Sequence, residues 1–97
     1  MSTKLYLGVV GKDADSAWGM WFPDMPGCFP AADAFDDLPR VAAELLRQHV
    51  EALEGNGRTV PAPRSVTEAM GDEDVRKALK GGATTTMLVA AREKTVS

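Results

Sequence analysis

Hydrophobic positions recur with a period of two from Lys4 to Val10, which predicts a strand with Leu5, Leu7 and Val9 on one face. A polar cluster, Gly11-Lys12-Asp13-Ala14-Asp15-Ser16, follows and reads as the turn between antiparallel strands. Trp18 to Phe22 predicts a second strand, with Trp18, Met20 and Phe22 on one face and Trp21 on the other. Pro23 and Pro26 carry no backbone donor, so the chain from Phe22 to Gly27 must leave the sheet as a bend. A short third strand is expected around Gly27 to Ala31.

The period then changes. Leu38, Val41, Ala42, Leu45, Leu46, His49 and Leu53 share one helical face, with Glu44, Arg47, Gln48 and Glu51 opposite. Pro39 is tolerated only in a first turn, which sets the N-cap at Asp36 or Asp37. Gly55-Asn56-Gly57 ends the helix. Val60-Pro61-Ala62-Pro63 is an extended connector, and Ser65 with Glu68 forms a capping box that starts a second helical stretch. Gly71 interrupts that stretch; a further turn or two spans Asp72 to Lys80, and Gly81-Gly82 stops it. Thr84 to Ala91 predicts a last strand. Strands, helix, short helices and strand in this order predict an α+β fold (β-β-β-α-…-β). An antiparallel sheet of three to four strands would carry one main helix packed on one face.

Composition narrows the function classes. A chain of 97 residues has room for one core, so residues 1–97 are expected to form a single domain. The net charge of -3 argues against nucleic acid as the direct partner, since phosphate binding favours a basic patch. A single cysteine, Cys28, excludes an intrachain disulfide, and its apolar setting predicts a buried, inert thiol. The N-terminus shows neither a cleavage site nor a bilayer-length apolar run, so a cytoplasmic protein without membrane attachment is expected. One histidine, His49, on the apolar helix face offers no zinc spacing, and no metal or cofactor is expected.

The most specific segment is Phe22-Pro23-Asp24-Met25-Pro26-Gly27-Cys28-Phe29. It stands after a strand, an acidic helix start at Asp33, Asp36 and Asp37 follows, and Val60-Pro61-Ala62-Pro63 comes after the helix. This arrangement resembles the HicB family of bacterial toxin–antitoxin systems, which carries a Phe-Pro-Asp-Leu-Pro-Gly-Cys element in the same place. The resemblance implies a partial, degenerate RNase H-like domain that binds and occludes a HicA-like toxin. That partner is a small basic RNase with a double-stranded-RNA-binding-domain-like fold. Active RNase H-like nucleases hold two metal ions on strand carboxylates, and neither Leu5 to Val10 nor Thr84 to Ala91 contains an acid. The expectation is therefore a binding module and not an enzyme.

The chain departs from the family pattern at Ala32 and Ala34, where the family has Gly and Thr, and at Pro39 in the first helical turn. Many members continue into a C-terminal DNA-binding part; this chain stops at Ser97, so none is expected within it, nor direct DNA binding. Two alternatives stay open: an orphan homo-oligomeric scaffold, or the sensor part of a repressor whose reader domain lies beyond Ser97.

The candidate partner-binding residues are Trp21, Phe22, Asp24, Met25, Asp33 and Asp36, with Pro23, Pro26, Gly27 and Cys28 shaping the bend. Trp21 is expected to be exposed, because Trp18 shares its face with Met20 and Phe22. Asp24 either meets the toxin or accepts hydrogen bonds from the amides of its own bend. Asp33, Asp36 and Asp37 either attract a basic partner or cap the helix. An open sheet leaves edges to be paired, which predicts a homo-dimer or tetramer.

Overall fold

In the computed structural model, which describes residues 4–12 and 17–91, the first strand is the hub. This strand, β1 (Lys4–Lys12), pairs antiparallel with β2 (Trp18–Trp21) on one side and with β4 (Thr85–Ala91) on the other. The two-residue β3 (Ala31–Ala32) adds to β2, giving the order β3-β2-β1-β4. Val10 lies opposite Met20, and Tyr6 opposite Val89. β1 runs two residues further than the sequence pattern predicts, to Lys12; residues 13–16 of the expected turn lie outside the described residues.

The third strand is shorter and later than expected. Pro30 has no N–H for a ladder, so pairing starts only at Ala31, while the Pro30 carbonyl accepts from the Met20 amide at 2.9 Å. The main helix, α1 (Leu38–Gly55), is entered through a 3-10 turn at Phe35–Asp37. Asp37 is its N-cap, but that run-in leaves Asp37 with helical dihedrals, and its carboxylate makes no cap hydrogen bond. At the far end Gly57, at φ 69, reverses the chain in a conformation that suits glycine.

The sheet is covered on both faces. Tyr6, Val10, Met20, Phe22 and Val89 pack against Leu38, Ala42 and Leu46 of α1. On the opposite face Leu7 and Val9 are closed over by Ala69 and Val75. These come from α2 (Val66–Met70) and α3 (Glu73–Lys80), which start on the expected Ser65–Glu68 capping box and on an Asp72 cap. The sequence pattern placed one helix on one face and left the short helices unplaced. β1 is apolar at consecutive positions from Leu5 to Val10, the mark of a strand buried on both sides.

Gly8 sits on the α1 face of β1. A Cβ built there would fall 2.5 Å from Met20 Sδ, so any larger residue must displace the Met20 side chain.

Tyr6 ties the sheet to the connector by donating its hydroxyl hydrogen bond to the Pro61 carbonyl. Burial, assisted by the negative charge of Asp24, raises its pKa above the ordinary value. The folded state thus favours the neutral phenol. This contribution to stability is fully present below the unfolded tyrosine value and is lost as pH rises through the folded one. Since Tyr6 is the only tyrosine, a phenolate absorbance titration of the native chain should show one midpoint above 10.0. Tyr6→Phe should erase that signal and cost about 1 kcal/mol in urea unfolding. A midpoint at the free value would show that the phenol is not held in the core.

Candidate partner-binding surface

The bend between β2 and β3 is built by side chains falling inward at intervals of three. Phe22, Met25 and Cys28 are all buried in the cluster beneath α1, and the Met25 amide closes a turn on the Phe22 carbonyl at 3.2 Å. Phe22 and Met25, expected as partner contacts, are therefore core residues: the prolines turn the chain back so that these two positions point into the domain. Pro26 and Gly27 stay on the surface. Gly27 has φ 91, and a Cβ there would lie 3.4 Å from His49 Cε1, so the half-buried His49 lies beneath the bend. Burial raises the pKa of the Cys28 thiol, which keeps it protonated and unreactive.

Asp24 meets neither expectation cleanly. Its carboxylate accepts from the Arg64 amide at 2.9 Å and from Arg64 Nε at 2.6 Å, forty residues along the chain. Arg64 Nη2 also donates to Asp72 Oδ2 at 2.9 Å, while Asp72 Oδ1 accepts from the amides of Asp74 and Val75. The hydrogen bond from Arg64, joined by those amides and opposed by desolvation, holds the Asp72 carboxyl below its ordinary range. One guanidinium thus fastens the bend to the connector and to the start of α3. The Asp24 side chain is only 8% exposed, so its role is to hold the bend rather than to present a free carboxylate.

Trp21 is half-buried, not exposed. It packs at the rim of the Leu7–Val9 cluster, because α2 and α3 cover the sheet face it was expected to leave open. Trp18 is half-buried too, edge-on to Phe35 at 5.0 Å between ring centroids. The freely exposed aromatic is Phe29, at 69%. It separates two shallow grooves, and Trp21 lines both. One, of 380 Å³, runs along Gly19, Trp21, Pro30 and Ala31; the other, of 250 Å³, lies between Pro23, Pro26, Gly27 and the carboxylates of Asp72 and Asp74. The sequence holds a signal for this: once Cys28 is assigned inward, alternation turns Phe29 outward and Pro30 inward.

Asp33 and Asp36 are exposed; Asp33 directly follows β3, and Asp36 lies in the 3-10 turn after it. Among the described residues neither joins an ion pair, whereas Asp37 lies 4.0 Å from Arg40. The bend and the β3 end of the sheet thus present an exposed aromatic, two apolar-walled grooves and free acids. Such a surface suits a protein partner with basic character. Among the described residues no group of three metal-ligating side chains could hold an ion, and no helix is long and apolar enough to cross a membrane.

A family model described as the HicB_like antitoxin of bacterial toxin-antitoxin system matches residues 6–92. Among solved structures, the chain is similar to one in the HicA3 and HicB3 toxin–antitoxin complex. The TM-score is 0.69 and the identity 29%, over 88% of this chain and 94% of that one. It is also similar to the N-terminal domain of the Burkholderia pseudomallei antitoxin HicB, with TM-score 0.66 and 28% identity over 88% and 94% of the two chains. Against the crystal structure of antitoxin HicB3 the TM-score is 0.66 and the identity 29%; the match covers 88% of this chain and 60% of that longer one. No curated protein matches in sequence.

Proposed function

The chain belongs to the HicB-like antitoxin family, and from that premise we propose that it binds a HicA-type toxin and occludes its RNA-cleaving surface. The observation that carries this reading is the likeness, over 88% of the chain, to a structure of a toxin–antitoxin complex. In this reading the chain is a binder and not a catalyst. It acts in the cytoplasm, where an mRNA-cleaving toxin must be held in check. Phe29 and the rim of Trp21 form the apolar centre of the contact, with Asp33 and Asp36 facing the basic toxin. Asp24 contributes indirectly, by fixing the bend through Arg64. The net charge of -3 favours encounter with a basic partner.

Co-expression with a HicA-type toxin tests the reading. Co-elution in a fixed ratio, together with restored growth of cells producing that protein, is the expected result. Persistent toxicity with no co-eluting partner would refute it.

A further inference from the structure

The smaller of the two grooves beside Phe29 combines walls of different chemistry. Trp21 and Phe29 contribute aromatic rings, Pro23 and Pro26 their pyrrolidine rings, and Asp72 and Asp74 carboxylates. Its 250 Å³ gives room for one long side chain and too little for a strand or a helix.

Charge narrows the choice of that side chain. The Asp72 carboxylate is already engaged: Oδ2 accepts from Arg64, and Oδ1 caps α3 through the amides of Asp74 and Val75. With the cap supplied by Asp72, the exposed Asp74 side chain has no capping duty, and among the described residues it joins no ion pair. Asp24, Asp72 and Asp74 thus set three carboxylates against the single guanidinium of Arg64. The cations of α3, Arg76, Lys77 and Lys80, line a different depression together with Glu73. The groove therefore offers excess negative charge beside aromatic surface.

Of the cationic side chains, arginine fits such a groove better than lysine. Its planar guanidinium stacks on aromatic rings, is more weakly hydrated than an ammonium, and donates to a carboxylate along its edge. The domain carries its own example next to the groove. Arg64 donates to Asp24 at 2.6 Å and to Asp72 at 2.9 Å.

We propose, on the antitoxin reading above, that this groove receives an arginine side chain of the HicA-type toxin, stacked on Phe29 and paired with Asp74. Phe29 then supplies affinity and Asp74 selectivity. A toxin without that arginine would leave the Asp74 carboxylate covered and unpaired.

Titration calorimetry of the full chain against a HicA-type toxin tests this. Asp74→Asn should raise the dissociation constant ~10-fold. Glu73→Gln, the same charge change one residue away and outside the groove, should raise it less than ~2-fold. Both variants should keep the circular dichroism spectrum of the parent. The arginines of the toxin are then changed to lysine one at a time. One of these changes should weaken binding to the parent chain yet add little in Asp74→Asn, the mark of two groups in contact. Equal effects of Asp74→Asn and Glu73→Gln would reduce the groove to general attraction and overturn the proposal. So would a toxin whose arginines all act independently of Asp74. Toxin binding that is unaffected by Asp74→Asn would overturn it and leave the antitoxin reading intact. A parent chain that binds no toxin would refute that reading, and this inference with it.

Discussion

Phe29→Ser weakens binding of the HicA-type toxin by at least ~30-fold, about 2 kcal/mol, the loss expected for an aromatic anchor at an interface centre. The thermal midpoint of the free chain should barely move. Phe29 is 69% exposed, so its ring is not part of the fold, and substitutions at such positions usually stay within about 0.5 kcal/mol. Its backbone is held independently, by Cys28 in the core on one side and the buried Pro30 on the other. The grooves flanking the ring give a partner side chain two apolar walls, each including Trp21. Titration calorimetry and thermal unfolding on the same variant separate the two quantities. An unchanged affinity would place the toxin elsewhere on the sheet, whatever the antitoxin activity of the chain.

Gly8→Val should have the largest effect on the fold itself. An added Cβ would meet Met20 Sδ at 2.5 Å, Met20 Cγ at 2.9 Å and Phe22 Cε1 at 3.2 Å. A flexible methionine can step aside, but Met20 and Phe22 are both buried under α1, so moving them disturbs the packing of the core. Overpacking of this kind costs about 1–3 kcal/mol, and valine's two further methyl groups favour the upper end. Valine's preference for strands and the removal of a flexible glycine return less than ~1 kcal/mol. For a domain whose total stability is on the order of 5–15 kcal/mol, the urea midpoint should fall visibly. Met20→Ala introduced into Gly8→Val should recover part of the loss, because it vacates the space that the valine needs. A single variant as stable as the parent would mean that β1 and β2 do not approach as closely as described.

Elements whose cause is local were legible in the sequence. Spacing along Leu38 to Leu53 gave α1, Ser65 and Glu68 gave the start of α2, and two prolines around Asp24 gave the bend. What required the folded chain was non-local. Asp24 finds Arg64 across forty residues, and no pattern within the bend distinguishes that partner from its own amides. Period two puts Trp21 on the face opposite Trp18, but it does not say whether α2 and α3 will cover that face. The motif singles out Phe22 and Met25, yet a motif can mark residues that shape a surface from below. A glycine in a strand such as Gly8 reveals its reason only once the Met20 side chain packs over it.

The pairing of β1 with β4 sets the order in which this protein can come into being. Lys4 lies opposite Ala91, so β1 waits on the ribosome for the fourth strand of this sheet. Until residues 85–91 emerge, Tyr6, Leu7 and Val9 lack one flank of their shelter, and an unfinished chain offers proteases and chaperones an apolar ribbon. Neutralising capacity therefore arrives all at once, when β4 has emerged. A messenger cut short before that point yields no partly useful product.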